Sequence, residues 1–428
     1  MKYVLIIGAG KSGKSVCNYI STLGLLPVLF DDEFITRENQ IKWVVGCEYV
    51  VVSPSVAPSN EVVMLAKKLG KNIIGDIELT FIYRKLLYKQ IVGVTGTNGK
   101  TTVVSMLGHI LGEDCNMAGN IGIPWMSVSD KQKRVCVLEL SSFQLMSIKT
   151  FKPDIACILN LAPDHIDYHG SESDYYNAKL SITKNLTSDD WCVLNFEDAV
   201  LCKLVNTTAN KLYFGYDNTK DGCFIKSNSI YLREGKNEKF IIDLDIIGDT
   251  LHHNVLNIMA GVCILSKIEY NLYSHLHRIM EYKYEPYRMA FVGEVCGAKV
   301  YNDSKSTNVA SALVGLKALS KFSNIALILG GRYKNESFNE LFKFKNIKQV
   351  YIFGESKNII YEDAKKLSFE NVSLFNNLDE IVNDIFLTKK FDAVLFSPAC
   401  ASFDMYSSYK ERGMHFDELI KKIKQIIN

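Results

Sequence analysis

The residues best suited to chemistry begin with the run Gly96-Thr97-Asn98-Gly99-Lys100-Thr101-Thr102. Backbone N–H groups of a glycine turn can wrap a phosphate, and a helix starting there points its positive end at the same anion. Lys100 is placed to reach terminal phosphates and the Thr101 hydroxyl to ligate Mg²⁺, so ATP with its metal is the expected ligand. The general phosphate-loop pattern asks for glycine where Val94 stands, which makes this a variant spacing. Glu139 and His165 each follow an apolar run. An acid at the end of a neighbouring strand is the usual second metal contact in such sites. A second glycine pattern, Gly8-Ala9-Gly10-Lys11-Ser12-Gly13, precedes Asp31-Asp32 by the interval of a dinucleotide fingerprint. There the glycines allow close approach of a pyrophosphate and the acid meets a ribose hydroxyl.

These residues need an α/β scaffold to hold them. Residues 3–7 read as a strand, followed by a helix to Leu23, a strand over 27–30, another over 49–52 and a helix over 61–69. A strand from about Gln90 feeds the phosphate loop and a helical pattern runs to Leu111. The runs 134–140 and 154–161 are apolar enough to be parallel strands buried on both faces. Ligands of open α/β sheets gather beyond the carboxyl ends of the strands, so Glu139 and His165 are expected to share a crevice with Lys100 and Thr101. Short strands over 211–216, 222–226, 229–232 and 240–244 predict an antiparallel patch, closed by a helix over 253–268. Strands over 298–302, 324–330, 350–353, 372–375 and 393–397, alternating with helices, predict a further parallel α/β region. The expected fold is α/β in three domains. A Rossmann-like half covers 1–88, a phosphate-loop ATPase domain with a small antiparallel patch covers 89–284, and a Rossmann-like domain covers 285–428.

A chain of 428 residues exceeds one ordinary core, in keeping with several domains. Its 47% hydrophobic and 22% charged residues are those of a globular protein. A net charge of +2 argues against nucleic acid as a partner. Eleven cysteines lie scattered with no Cys-x-x-Cys pair, as expected of free thiols in the cytoplasm. The apolar run 3–7 is too short to span a membrane, and no targeting segment is expected. Two other readings compete. An NAD-dependent oxidoreductase would explain residues 8–13 but not the phosphate loop, and a nucleotide switch would use ATP without forming a product.

The motifs resemble those of the Mur ligase family. They are the phosphate loop, Gly119-Asn120-Ile121-Gly122-Ile123-Pro124, Leu138-Glu139-Leu140-Ser141-Ser142-Phe143-Gln144-Leu145, Asp164-His165, Tyr176-Asn177-Ala178-Lys179, His253-Asn254-Val255-Leu256-Asn257, Tyr287-Arg288, Asn302-Asp303-Ser304-Lys305-Ser306-Thr307-Asn308 and Ser397-Pro398-Ala399-Cys400-Ala401-Ser402-Phe403-Asp404. They fall in family order across nearly the whole chain. The Ser-Ser-Phe-Gln and Asp-Ser-Lys-Ser-Thr-Asn segments resemble the branch that adds D-glutamate, with a branch of the family that adds a different amino acid as the nearest alternative.

The resemblance implies a cytoplasmic monomer that joins D-glutamate to UDP-N-acetylmuramoyl-L-alanine with ATP, through an acyl phosphate, for peptidoglycan precursors. Gly96 to Thr102, Asn257, Arg288 and Asp303 would contact ATP. Thr101 and Glu139 would hold one Mg²⁺, and His165 and Lys179 would hold or flank a second, with Lys179 carbamylated. Lys100, His165 and Lys179 would be catalytic. Lys11, Ser12, Asp31, Asp32, Ser55, Asn120 and His165 would meet the UDP-substrate. Lys305, Thr307, Lys334, Ser402, Phe403 and Tyr409 would hold D-glutamate. The chain departs from the family pattern at Glu33, Ser55, Arg332 and Tyr409.

Overall fold

The computed structural model describes residues 3–30, 37–128, 133–247, 252–268, 275, 277–282, 286–388 and 390–427. It divides into two compact units, Met1–Tyr282 and Lys283–Asn428. Asp31 and Asp32, expected to meet the UDP-substrate, and the departure at Glu33 lie outside the described residues.

The first unit holds two sheets. Strands β1 (Tyr3–Ile7), β2 (Leu26–Phe30), β3 (Tyr49–Val52) and β4 (Ile73–Gly75) form a parallel sheet in the order β2-β1-β3-β4. Its alternating side chains feed two apolar clusters, Leu5, Ile7 and Val50 in one and Val4, Ile6 and Val51 in the other. Four strands make one mononucleotide-binding half, not the paired halves of a dinucleotide fold.

The second sheet comprises β5 (Tyr88–Thr95), β6 (Cys115–Gly119), β7 (Lys133–Glu139), β8 (Ile155–Ile158), β9 (Trp191–Asn195), β10 (Asn210–Phe214), β11 (Gly222–Lys226), β12 (Ser229–Glu234) and β13 (Asn237–Asp243). The order is β13-β12-β11-β10-β9-β8-β5-β7-β6, so β7 and β8 flank the strand of the phosphate loop. Val92 and Val94 point to one core and Ile91 to another, so β5 is buried on both faces as its composition predicts. The antiparallel patch is smaller than expected. The strand predicted over 211–216 is β10, which runs parallel to both β9 and β11, and only β11, β12 and β13 pair antiparallel. For β9 and β10 the reason lies in the connection: helix Ala199–Leu204 separates them, and a crossover helix returns the chain in the same direction.

The helix Asp76–Arg84 joins the two sheets and is buried along most of its length. Both Glu78 carboxylate oxygens accept backbone N–H groups, from Lys149 (2.8 Å), Thr150 (2.7 Å) and Phe151 (2.9 Å). At its other end the Arg84 guanidinium donates to the carbonyls of Met126 (2.7 Å) and Val128 (2.7 Å). Buried charges persist where such bonds satisfy them.

The second unit carries β14 (Ala290–Val295), β15 (Ala298–Asn302), β16 (Ile325–Gly330), β17 (Ile347–Phe353), β18 (Val372–Leu374) and β19 (Ala393–Phe396), in the order β14-β15-β19-β16-β17-β18. All pairings are parallel except β14 with β15, a hairpin absent from the sequence reading. The glycine at 293, where the register shifts, had masked β14. All eleven cysteines are free thiols. Among the described residues no helix is long and apolar enough to cross a membrane.

Candidate active site

The phosphate loop is fixed from three sides. β5 ends at Thr95, whose hydroxyl donates to the Leu140 carbonyl (2.8 Å). Gly99 has φ +89° and caps helix Lys100–Leu111, and a Cβ there would stand 2.5 Å from Asn257 Oδ1. Only glycine accepts both the left-handed backbone and that approach. Asn160, at the end of β8, clasps the turn: its Oδ1 accepts the Asn98 N–H (2.8 Å) and its Nδ2 donates to the Asn98 carbonyl (3.0 Å). Thr97 Oγ1 donates to the Ala162 carbonyl (3.0 Å) and accepts from the Tyr175 hydroxyl (3.2 Å). Lys100 Nζ donates to the carbonyls of Gly96 (2.7 Å) and Thr97 (2.9 Å). Thr101 is half-buried and Thr102 buried in the first turn of the helix. Val94, where a general phosphate loop has glycine, is a fully buried strand residue paired with Glu139 and Cys157. The turn therefore starts only at Gly96.

Glu139 ends β7 beside this loop and is buried. Its Oε1 accepts the Asn120 side-chain amide (2.9 Å), while the Asn120 N–H donates to the Glu139 carbonyl (2.8 Å). Gly119, with φ +93°, allows that contact, since a Cβ would stand 2.2 Å from the Glu139 carbonyl oxygen. Glu139 Oε2 is buried with no hydrogen-bond partner, a state in which few buried polar atoms are left. Lys179, on helix Glu172–Leu180, is only 2% exposed. Its Nζ donates to the Gly96 carbonyl (2.9 Å) and lies 4.5 Å from the centre of the Tyr175 ring. Burial, with the Lys100 ammonium adding to it, holds the Lys179 amine well below its ordinary range, and Asp164 and Glu139 oppose the shift. His165 adopts φ +53° and accepts the edge of the Phe143 ring at 5.0 Å. Its N–H donates to Asp164 Oδ1 (3.0 Å). Lys100, Thr101, Glu139, His165, Lys179 and Asn257 thus stand on the strand ends and helix faces around one loop.

In the first sheet, Gly8 (φ +97°) and Gly13 form a tight turn, since a Cβ on Gly13 would stand 1.9 Å from the Gly8 carbonyl oxygen. Lys11 and Ser12 open helix Lys11–Thr22, Lys11 exposed and Ser12 half-buried, and Ser55 lies exposed in the loop after β3.

The remaining expected residues belong to the second unit. Asp303, after β15, accepts the Met289 N–H (3.1 Å) and the Ser397 hydroxyl (2.7 Å), and burial pushes its carboxyl up to about 7. Arg288, Thr307 and Lys334 are half-buried. The Lys305 ammonium sits 5.3 Å from the Tyr409 ring centre. Ser402 is buried, whereas Phe403 is 63% exposed. The fully buried Arg412 joins these segments: Nε donates to Ser304 Oγ (3.0 Å), Nη2 to the Ser304 carbonyl (2.7 Å) and Nη1 to the Cys400 carbonyl (3.0 Å). Arg332 pairs with Glu355 (3.6 Å) at the surface, and its N–H donates to the Ala401 carbonyl (2.8 Å).

A family profile described as the Mur ligase middle domain matches residues 94–265, and one described as the Mur ligase glutamate ligase domain matches residues 287–400. The chain belongs to the Mur ligase family. It is similar to the UDP-N-acetylmuramoylalanine--D-glutamate ligases of Enterococcus faecalis (34% identical, covering 99% of this chain and 97% of the relative) and of Caldicellulosiruptor bescii (34%, covering 99% and 98%). The fold is that of solved Mur ligases. MurF ligase from Thermotoga maritima, in complex with ADP, aligns with a TM-score of 0.62 at 17% identity, covering 99% of this chain and 96% of that one. The UDP-N-acetylmuramate-alanine ligase MurC from the same organism aligns at 0.56 and 18%, covering 99% and 100%. This Mur ligase is thus an ATP-dependent, amide-bond-forming enzyme, and the oxidoreductase and switch readings fall away.

Three residues of this Mur ligase's sites escaped the sequence reading. Asn160 and Tyr175 act on a loop more than sixty positions away, and Arg412 acts on Ser304 from the last helix. For Tyr175 a signal existed, since it precedes Lys179 by one helical turn and shares its face. Asn160 was read only as a strand end.

Proposed function

We propose that this Mur ligase adds D-glutamate to UDP-N-acetylmuramoyl-L-alanine in the cytoplasm, as a monomer, with ATP as the phosphoryl donor. The observation that carries the reading is full-length similarity to relatives that bear this activity in their names. The alanyl carboxylate attacks the γ-phosphorus of ATP, its bond to ADP breaks, and an acyl phosphate forms. The D-glutamate amine then attacks the acyl carbon, loses a proton and expels inorganic phosphate. Backbone N–H groups of residues 96–99 and the Lys100 ammonium receive the phosphates, where a fixed positive array favours the spread charge of the transferring group.

Thr101 and Glu139 would hold one Mg²⁺, for which the partnerless Glu139 Oε2 is suited, and Lys179 and His165 would hold a second. Mg²⁺ supplies positive charge between the two anions that must meet. Lys179 fits this role only as a carbamate. A primary amine must be neutral to add CO₂, and its buried setting favours the neutral form. Asn120 and His165 orient the alanyl end. Lys11, Ser12 and Ser55 take the uridine diphosphate. Asn257, Arg288 and Asp303 serve ATP, and Lys305, Thr307, Lys334, Ser402, Phe403 and Tyr409 the D-glutamate.

The test is phosphate release with ATP, Mg²⁺ and UDP-N-acetylmuramoyl-L-alanine against D-glutamate, L-glutamate, L-lysine or meso-diaminopimelate. Release that depends on D-glutamate is expected, and indifference to the amino acid overturns the reading.

A further inference from the structure

His165 holds a left-handed backbone, and what keeps it there is the single-turn helix Ile166–His169 that it begins. The N–H groups of Tyr168 and His169 both donate to the His165 carbonyl (3.2 and 3.1 Å). The side chains of the same two residues are anchored to different walls. The Tyr168 hydroxyl donates to the Val56 carbonyl (3.0 Å), in the loop after β3 of the first sheet. The His169 ring bonds through Nε2 to Ser142 Oγ (3.0 Å), just past Glu139 in the second sheet. Phe143 is wedged between them, edge-on to His165 (5.0 Å) and Tyr168 (4.5 Å) and stacked on His169 (5.3 Å). Between the walls lies a cavity of about 220 Å³, lined by Ser53, Pro54, Val56, Phe143 and Tyr168 among others.

We infer that Tyr168 is a positioning residue that couples the nucleotide-sugar loop at 53–56 to His165, so that seating of the UDP-substrate's nucleotide end aligns the imidazole at its alanyl end. This rests on the reading that the loop takes the uridine diphosphate. The turn is a short rigid lever with one fixed point on each wall. A displacement of the 53–56 loop reaches the carbonyl-bonded backbone of His165 through the phenol, because Phe143 packs against the Tyr168 and His165 rings alike. Burial raises the Tyr168 phenol, so it remains a donor over the working pH range.

The variant Tyr168→Phe keeps the ring against Phe143 and removes only the donor. Kinetics of the full chain should show the KM for UDP-N-acetylmuramoyl-L-alanine raised about three- to tenfold, the worth of one hydrogen bond. The KM for ATP should stay within twofold, and calorimetry with UDP alone should give the same affinity as the parent, since the loop itself is intact. Ser142→Ala, which frees the other anchor, should lower kcat and leave the UDP-substrate KM unchanged. An unchanged UDP-substrate KM in Tyr168→Phe overturns the coupling. So does weakening of UDP alone by the same factor, which marks a merely structural role. A parent enzyme that does not bind UDP overturns the reading of the loop, and the coupling with it.

Discussion

Two glycine loops, residues 8–13 and 96–99, both end a buried parallel strand and begin a twelve-residue helix, yet they are built differently. The first is held from outside by one short side chain, the Ser53 hydroxyl, which donates to the Gly8 carbonyl (3.0 Å) on which Gly13 nests; nothing stands within 4 Å of a Cβ on Gly10, and Lys11 is exposed. The second is held by hydrogen bonds from the side chains of Asn160, Tyr175 and Lys179, with Asn257 packed close against Gly99. A loop that only seats a substrate needs the right backbone. One that must stabilise charge as a bond breaks needs its donors fixed beforehand, because preorganisation is what lowers the barrier.

The sharpest way to break this contrast is to remove the lysine from each loop. Lys100→Met should cut D-glutamate-dependent phosphate release by on the order of a thousandfold or more. Lys11→Met should raise the UDP-substrate KM only severalfold. Comparable losses in the two variants would erase the distinction.

Next come the glycines. Gly99→Ala, forced against Asn257 in a left-handed backbone, should lower turnover by about a hundredfold and raise the KM for ATP. In the first loop, Gly13→Ala should lower the unfolding midpoint through its clash with Gly8, at a cost of about 1–3 kcal/mol.

A third test uses pH. The carboxyl of Asp303 stands at about 7 in the fold against 3.8 for an ordinary aspartate, so the folded state holds the extra proton between those values. Stability relative to Asp303→Asn is full below about pH 4 and falls as pH rises to about 7, by on the order of 4 kcal/mol in denaturant titrations. Lys179 has the opposite sign. Its folded amine is depressed, so the unfolded chain holds more protons. In CO₂-free buffer the parent should gain stability over Lys179→Met as pH rises from the depressed value toward 10.5. A flat difference would show that the amine is charged in the fold. The smallest effect on stability is expected for Gly10→Ala, which should shift it by no more than about 0.5 kcal/mol because no protein atom stands within 4 Å of the added methyl.

Much of this was legible in the chain because it is local. The apolar runs over 134–140 and 154–161, with the one feeding the phosphate loop, announced parallel strands, and the sheet order then set β7 and β8 on either side of β5. Pairing direction was less legible: the pattern over 211–216 shows a strand but not its orientation, which depends on the helix before it. Least legible were the clasps. Nothing in the surroundings of Asn160 or Arg412 reveals a partner 62 or 108 residues away. The depressed amine of Lys179 was likewise hidden, because its helix reads as solvated and its burial, against the Tyr175 ring and the Gly96 carbonyl among others, is set by tertiary packing.

The strand order of the second unit bears on how the enzyme emerges from the ribosome. β19, the last strand made, lies between β15 and β16, and the Arg412 side chain that fastens the Ser304 turn comes later still. Until nearly the whole chain has been synthesised, β15 and β16 expose unpaired edges on either side of a missing centre, the kind of surface to which aggregation is drawn. The first unit's strands are complete well before, so the phosphate loop can close while the second unit still waits for its middle.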